Sequence, residues 1–570
     1  MSASSRRRFL ARVPAAVAAG VLAPTLTTEV AAQGAPPQAS TGGLTADTLG
    51  AAQQVVNVAL PSAERQQALP LVQGNQTNID AIRKVALGPE VEPAFTFHPV
   101  HSLKARPAAP KAVPAARVAP SPKPARIEDV AFESVAQLGA RLRAKQFTSV
   151  ALTKMYLDRL KRANETLYCV VTFTEELALA QAAQADAELR AGKDRGPLHG
   201  IPYGIKDLFA VKGVRTTWGA QPYATQVFDY DATAVVRLRE AGAVLLAKLT
   251  TGELAVGDLW FGGRTRNPWK PDTGSSGSSA GPASAASAGL VGFAVGTETG
   301  GSIISPASTC GVAGLRPTYG RSSRHGGMTL RWTLDKVGAL ARTVADTALV
   351  LSALHGPDGH DTTVVDLPFR WDGVASVKGL TIGIIEREFT NARGAQKQIY
   401  ADALDVLRRA GATLVPVTLP DLPSSALYAL LNAEAGAMFD ELVRGGGIND
   451  MADKGTNGRA NQLRASRFIS AVDYIRAQRV RTLLLQQMNA LFDGAGTAPA
   501  IHSFLAPASS ATVTTCNLTG HPAITVPCGL ADGLPVGLMV TGPLYQEDRI
   551  LRVAAAFEAA TPWKTKHPAV

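Results

Sequence analysis

The sequence predicts an α/β fold in which helices cover a central β-sheet. From Glu128 to the C-terminus, strand-like apolar runs alternate with helical patterns, which is typical of layered α/β domains. The run from Leu290 to Val295 is short and apolar and leads into a glycine-rich turn, as expected of a buried strand. The composition, with 46% hydrophobic and 18% charged residues, is that of an ordinary globular protein.

The first 32 residues predict an export signal. Adjacent arginines precede Phe9-Leu10, an apolar segment runs over residues 13–23, and small residues at 30–32 offer a cleavage point before Gln33. This order resembles a twin-arginine signal peptide, which a receptor reads and which does not anchor the protein. A chance basic N-terminus is the alternative. We therefore expect a periplasmic or secreted protein with no membrane anchor after processing.

Two further segments precede the main domain. Residues 33–102 form an N-terminal extension, in which two helical patterns between Leu44 and Leu87 predict a hairpin. The hairpin is expected either to pack on the main domain or to serve as a lid. Residues 103–126 are rich in Pro, Ala and Lys, which is typical of an extended tether.

The main domain is expected to span residues 127–570. Its first helices are predicted around residues 134–145, 148–164 and 174–192. A more helical region at about 363–500 is expected to lie beside the functional site and to shape its substrate preference.

Charge and cysteine content exclude some classes of function. The net charge is +11, but residues 1–126 hold 13 Lys/Arg against 6 Asp/Glu, so most of the basicity lies outside the main domain. No basic patch interleaved with aromatic residues occurs, so no nucleic-acid partner is expected. The four cysteines have apolar or glycine-rich neighbours and are expected to be buried thiols, although a Cys516–Cys528 disulfide remains open.

The segment from Ser278 to Ser302 is the most informative part of the chain. It is dense in Ser, Ala and Gly, and Glu298 is its only carboxylate. Small residues let backbone segments approach closely, and a Gly-Gly-Ser turn can direct several N–H groups at one anion, as an oxyanion hole requires. A flexible linker is the alternative, but a linker would lack the apolar run that precedes the turn.

A lysine in a second segment is a candidate base. Lys206 follows the apolar, turn-rich approach GIPYGI, so it is expected to be partly buried, and burial favours a neutral amine. The alternative is a solvated lysine paired with Asp207. A Ser-His-Asp site is also considered, because residues 277–281 match the G-x-S-x-G pattern with Ser279 at its centre. The polar residues before that pattern do not form the apolar strand that such a turn needs.

Five long motifs occur in order along the chain: GIPYGIKD at 200–207, SGSSAGP at 276–282, TETGGS at 297–302, CGVAGLRPTYGR at 310–321 and CNLTGHPAITVP at 516–527. These motifs identify the chain, from about residue 128 to 560, as similar to the amidase signature family. The resemblance implies a three-layer α/β/α amidase-signature fold with a large mixed central β-sheet covered by helices.

The resemblance also implies the site residues. Lys206 is the base, Ser278 is the relay through a cis peptide, and Ser302 is the nucleophile. The relay is Ser278 rather than Ser275, because the family places it twenty-four residues before the nucleophile. The oxyanion hole is formed by the N–H groups of Thr299, Gly300, Gly301 and Ser302.

The chain departs from the family pattern at three positions. Glu298 stands where Asp is usual, and Pro282 stands where Ser is usual. Ile304 stands where Arg often follows the nucleophile. A carboxylate-to-arginine link near the turn is therefore either absent or made by Arg316. Four large side chains close to the motifs either shape an acyl pocket or belong to the core; they are Trp260, Phe261, Met328 and Trp332.

The sequence thus predicts an exported serine amidohydrolase that cleaves amide bonds through an acyl-enzyme. No zinc spacing and no phosphate-binding loop occurs, so neither metal nor cofactor is expected. The expected partner is a small-molecule or peptide amide substrate, and the protein is expected to be a monomer or homodimer. The alternatives are the glutaminase component of a tRNA-dependent amidotransferase, an esterase or carbamate hydrolase, and a noncatalytic binding relic.

Overall fold

The computed structural model describes residues 43–56, 58–87, 94–95, 118–494 and 499–569, and the statements below concern those residues. The twin-arginine segment lies outside them, as does most of the predicted tether. No described helix is long and apolar enough to cross a membrane.

Two helices precede the main domain. They are α1 (Ala46–Val55) and α2 (Ser62–Arg83), and α2 packs against helices of the main domain. The Thr45 side chain caps α1 by accepting a hydrogen bond from the Thr48 N–H, which satisfies a free donor of the first turn. The same compact unit holds these helices and the central sheet.

The first half of the main domain alternates helices and strands. In chain order it contains α3 (Val135–Arg143), α4 (Ser149–Leu167), β1 (Val170–Phe173), α5 (Glu175–Arg190), β2 (Pro202–Lys206), α6 (Thr233–Glu240), β3 (Val244–Leu249), β4 (Leu259–Trp260), β5 (Gly263–Arg264), β6 (Arg266–Asn267), β7 (Lys270–Gly274), α7 (Ala280–Ser287), β8 (Phe293–Glu298), α8 (Ile304–Cys310), β9 (Ala313–Arg316), β10 (Lys336–Ala341) and α9 (Val344–Leu354). The three predicted helices correspond to α3, α4 and α5 and are confirmed.

The second half is richer in helices. It contains β11 (Thr381–Ile384), α10 (Glu386–Thr390), α11 (Ala395–Arg409), β12 (Thr413–Pro416), α12 (Ser424–Leu430), α13 (Asn432–Met438), α14 (Asp440–Arg444), α15 (Arg459–Ser466), α16 (Ala471–Asp493), β13 (Ser503–Pro507), α17 (Thr512–Thr519), β14 (Ala523–Ala531), β15 (Leu534–Thr541) and α18 (Glu547–Ala559). The region around 363–500 is not wholly helical, because β11 and β12 belong to the central sheet.

Eleven of the described strands form one mixed sheet. Their order is β1-β3-β2-β8-β10-β9-β14-β15-β13-β11-β12. β2 pairs in parallel with β3 and β8, β11 pairs in parallel with β12 and β13, and the remaining neighbours are antiparallel. Every residue of β2, β3, β10 and β13 is buried, as in a sheet with helices on both faces. The predicted layered α/β fold with a large mixed sheet is confirmed.

The glycine-rich turn follows β8, although the strand begins later than expected. The sequence predicts a strand from Leu290 to Val295, whereas β8 runs from Phe293 to Glu298. Helix α7 ends at Ser287, and Gly289 turns the chain with a φ of +62°, a left-handed conformation that glycine adopts without steric cost. Leu290 is therefore a buried residue of the turn and not of the strand.

The four cysteines are buried free thiols, as expected from their neighbours. Cys516 and Cys528 do not form the disulfide that the sequence left open. Burial raises the pKa of Cys516 to about 11, so this thiol stays protonated at neutral pH.

Candidate active site

Lys206 is the last residue of β2, and its side chain is fully buried. Its Nζ lies 2.8 Å from the Ser278 Oγ and donates to the Thr297 Oγ1 at 2.9 Å. Burial lowers the pKa of Lys206 to about 7, against the opposing effect of the Asp335 and Glu298 carboxylates. A neutral amine is therefore accessible at neutral pH, as a base requires.

Asp207 does not pair with Lys206, so that alternative is wrong. The Asp207 Oδ1 lies 2.8 Å from the Nζ of Lys248, and both side chains are fully buried. The second oxygen of Asp207 accepts hydrogen bonds from the backbone and side chain of Thr217. Successive side chains of an extended strand point to opposite faces, which directs Lys206 and Asp207 to different surroundings.

Ser278 lies just before the N-cap of α7, Ser279, and follows a cis peptide bond from Gly277. The cis peptide expected from the resemblance is therefore present before Ser278 and not before Ser275. A side chain at position 277 would collide with the Gly257 carbonyl group, which explains why glycine occupies it.

Ser279 joins the start of α7 to the glycine-rich turn. Its N–H donates to the Ser302 carbonyl at 3.0 Å, and its hydroxyl exchanges hydrogen bonds with the Thr297 backbone. The G-x-S-x-G interpretation is wrong, because the Ser279 hydroxyl is occupied by backbone groups rather than presented to a substrate. Ser278 and Ser302 thus come from two segments that hydrogen bonds hold side by side.

The turn at residues 299–302, which we call the oxyanion turn, connects β8 to α8. Gly301 has a φ of +130°, a conformation closed to residues with a Cβ. Ser302 is half-buried, whereas Thr299 is buried. The Thr299 Oγ1 donates to the Asp335 Oδ1 at 2.7 Å, and the other Asp335 oxygen accepts from the N–H groups of Leu330 and Arg331. The carboxylate of Asp335 therefore fixes the first residue of the turn.

Glu298 fixes the other side of the oxyanion turn. Its Oε2 accepts from the N–H groups of Ile303 and Ile304 at 2.7 and 2.8 Å. Its Oε1 lies 2.7 Å from the Arg316 Nη1 and also accepts from the Asn517 side chain. Burial raises the pKa of Glu298, but Arg316 and these hydrogen bonds outweigh that effect and leave the pKa lowered. Arg316 therefore makes the carboxylate-to-arginine link that Ile304 cannot.

Sequence reasoning missed three residues beside the turn. The Tyr428 ring lies against Gly300, and the Arg331 guanidinium lies 4.0 Å from the centroid of that ring. Arg459 is fully buried; its Nη1 donates to the Gln462 side chain at 2.9 Å, and its Nε has no hydrogen-bond partner among the described residues. No local motif marks these residues, because they belong to helices α12 and α15 and to a loop, all far from the turn in the sequence.

The four large side chains near the motifs have different surroundings. Trp260 is buried and packs edge-to-face on Phe261, while Trp332 is 45% exposed. Met328 lines a small cavity of about 10 Å³ beside Thr297 and Thr299. Met328 is thus the one of the four that borders this cavity.

A much larger cleft, of about 1280 Å³, lies between α2, α10, α12 and α17. None of the predicted site residues lines this cleft. Within the described residues, no group of three or more His, Cys, Asp or Glu side chains is arranged to hold a metal ion. Of these two spaces, only the small cavity is lined by a residue of the oxyanion turn, Thr299.

Known proteins resemble this chain in sequence and fold. The amidase family model matches residues 151–551. The A subunit of the glutamyl-tRNA(Gln) amidotransferase of Methylococcus capsulatus is 36% identical over 482 residues, which cover 77% of this chain and 99% of that protein. The native peptide amidase of Stenotrophomonas maltophilia is 31% identical with a TM-score of 0.68, covering 76% of this chain and 98% of that one.

A further structure, an amidase family protein of Bacillus anthracis, is 26% identical with a TM-score of 0.70 and covers 78% of this chain and 94% of that one. The comparisons of sequence and of fold agree. The chain belongs to the amidase signature family and is a hydrolase of amide carbon–nitrogen bonds.

Proposed function

We propose that this hydrolase works through an acyl-enzyme on Ser302, with Ser278 as relay and Lys206 as base. The observation that supports the proposal is the 2.8 Å contact between the buried Lys206 Nζ and the Ser278 Oγ. A serine hydroxyl is a weak nucleophile unless a base can accept its proton, directly or through a relay. A buried amine with a pKa of about 7 is such a base.

The proposed reaction has two halves. Neutral Lys206 accepts the Ser278 proton while Ser278 accepts the Ser302 proton, and the Ser302 Oγ bonds to the carbonyl carbon of the amide. The N–H groups of Thr299, Gly300, Gly301 and Ser302 stabilise the oxyanion, and the proton passes to the leaving amine as the C–N bond breaks. Water then attacks the acyl-enzyme along the same proton route and releases the acid.

The proposed location is outside the cytoplasm. This part of the proposal is supported by the arginine pair, apolar segment and small residues of the first 32 residues. A mature protein of that kind meets small amides or peptide amides rather than charged tRNA. Fractionation of cells that express the full chain tests the point, because a protein retained in the cytoplasm would exclude export.

The second candidate function is glutamine hydrolysis as the glutaminase component of an amidotransferase. The name of the curated relative favours it over an exported amidase. Arg459 favours it too, because a buried guanidinium with no carboxylate partner among the described residues suits a substrate that carries a carboxylate, as free glutamine does. This candidate implies cytoplasmic partner proteins, whereas the first implies a monomer or homodimer.

One substrate panel separates these candidates. The purified protein is assayed on L-glutamine, an aryl amide, a peptide C-terminal amide, an aryl ester and a carbamate, beside Ser302→Ala. We expect amide turnover without added partner proteins and a loss of roughly a thousand-fold or more in Ser302→Ala, since the nucleophile forms the covalent bond. Retained turnover in that variant would exclude Ser302 as the nucleophile. Activity confined to L-glutamine, with partner proteins that copurify, would select the second candidate.

A further inference from the structure

The two N-terminal helices and their connecting loop, residues 46–83, form an N-terminal hairpin that lies on the helices beside the active site. Helix α2 packs against α12, α15 and α16. The Arg65 side chain closes the hairpin by donating to the Ala46 carbonyl at 3.1 Å and to the Leu60 carbonyl at 2.7 Å. The hairpin therefore has a fixed conformation and packs on the region of about residues 363–500, which is expected to set substrate preference.

Polar contacts anchor the hairpin to α15 and its neighbours. The Glu64 Oε2 lies 2.9 Å from the Nε of Arg464, which is only 4% exposed. The other Glu64 oxygen accepts from the Asn449 side chain at 3.2 Å. Near the end of α2, Arg83 pairs with Asp473 at 3.0 Å. Removal of Glu64 would leave the buried Arg464 without its carboxylate, so these contacts are typical of permanent packing rather than of a lid that opens.

The loop of the hairpin belongs to the apolar cluster that borders the site. Val58 and Leu60 are 6% and 2% exposed and share one buried cluster with Leu208, Met328 and Leu330. Those last three residues line the small cavity beside Thr297 and Thr299. The hairpin loop and part of the cavity lining therefore belong to one buried apolar cluster.

The helices beneath α2 carry residues that lie close to the oxyanion turn. Tyr428, whose ring lies against Gly300, belongs to α12, and the buried Arg459, which lies within electrostatic reach of Tyr428 and Asp335, begins α15. A displacement of α2 would therefore loosen both helices and widen the space next to the turn. The position of the hairpin is coupled to the active site through two packed elements.

We propose that the N-terminal hairpin is a permanent wall of the active site that limits the size of the group Ser302 accepts. The proposal rests on the proposed function of Ser302 as nucleophile. Leu60 and Glu64 are positioning residues in this role, because they act through the cavity wall and α15 and do not touch the reacting atoms.

Labelling of Ser302 by alkyl fluorophosphonates tests the wall without knowledge of the substrate. The Ser302 Oγ bonds to phosphorus, fluoride leaves, and the hydroxyl proton passes to the base. Methyl and octyl fluorophosphonates are compared on the full chain, on Leu60→Ala and on Glu64→Gln. The control is Leu404→Ala, which removes a buried leucine from a different apolar cluster on α11.

We expect the octyl-to-methyl ratio of labelling rates to rise roughly tenfold in Leu60→Ala and in Glu64→Gln, since one or two methylenes in an apolar pocket produce selectivity of that order. The ratio in Leu404→Ala should equal that of the unaltered chain. If both hairpin variants show an unchanged ratio and only a lower melting temperature, the hairpin stabilises the fold without limiting the substrate. That outcome would overturn the wall and leave the proposed function intact. Failure of the methyl probe to label Ser302 in the unaltered chain would overturn both proposals.

Discussion

The Nζ of Lys206 lies 2.8 Å from the Oγ of Ser278, and both side chains are buried. A charged ammonium there donates a hydrogen bond to the serine and cannot accept its proton. A neutral amine at the same distance accepts that proton. The protonation state of one buried lysine therefore decides whether the two serines can act.

The rate should depend on pH through Lys206. Because burial lowers the pKa of Lys206 to about 7, kcat/KM should rise with pH through about 7 and level off above it. Lys206→Arg should abolish turnover at every pH, since a guanidinium stays protonated. A pH profile of kcat/KM between 5 and 9 on the accepted amide is the measurement. A flat profile would show that Lys206 is not the base.

Lys206 should also lower the free energy of unfolding at neutral pH. Its folded pKa of about 7 lies below the usual 10.5, so between these values the unfolded chain binds a proton that the folded chain does not. The free energy of unfolding therefore rises from pH 7 to 10.5, by about 5 kcal/mol for this group at 1.36 kcal/mol per pKa unit. Lys206→Met should lose this dependence and be more stable than the unaltered chain at pH 7. Denaturant unfolding of both chains at pH 7 and 10 measures the difference; equal slopes would contradict the prediction.

The sequence predicted the parts of the site that lie within motifs. The family resemblance implied the cis peptide before Ser278, and the apolar residues before Lys206 predicted its burial. The link from Glu298 to Arg316 was one of two alternatives that the motifs left open, and the structure contains it. The contact of Tyr428 with Gly300 does not, because it depends on how α12 packs over the sheet. No short sequence motif predicts how helices that lie far apart in the chain pack together.

The predicted start of strand β8 and the alternative pairing of Lys206 with Asp207 were wrong for a similar reason. An apolar run indicates burial but not conformation, so Leu290 was assigned to a strand although Gly289 turns the chain just before it. Asp207 was a plausible partner for Lys206 by adjacency alone. Strand geometry separates the two side chains, and Lys248 from the neighbouring strand β3 supplies the partner instead.

The hydrogen bond from Thr299 to Asp335 should support catalysis by fixing the oxyanion turn. Thr299→Val keeps the shape of the side chain but leaves the buried Asp335 oxygen without its hydroxyl donor. A lost hydrogen bond to a charged group costs about 1.5–3 kcal/mol, so kcat should fall at least about tenfold. Thr299→Ser keeps the hydroxyl and is the matched control, with kcat near that of the unaltered chain. Equal kcat values in the two variants would rule out this role.

Glu298 should stabilise the fold above its pKa. Glu298→Gln leaves the buried Arg316 without a charged partner, which should lower the free energy of unfolding by about 3–5 kcal/mol at pH 7. Because the folded pKa of Glu298 is lowered from 4.5, its contribution is present above pH 4.5 and is lost as pH falls through the folded value. Unfolding of both chains at pH 7 and at a value well below pH 4.5 should show the difference in unfolding free energy narrow. If the difference in unfolding free energy is the same at both pH values, the Glu298–Arg316 pairing is not its cause.

The ring of Tyr428 should be the obstacle to a side chain at position 300. Gly300 has no left-handed φ, so its backbone admits alanine, and the three atoms nearest to an added Cβ all belong to Tyr428. Gly300→Ala should therefore displace the oxyanion turn, and a displacement of about 1 Å costs roughly 10²-fold in rate. Tyr428→Ala removes the ring, so the double variant should return to the kcat/KM of Tyr428→Ala alone. Assays of both single variants and the double variant form a mutant cycle, and simple additivity of the two losses would place the obstacle elsewhere.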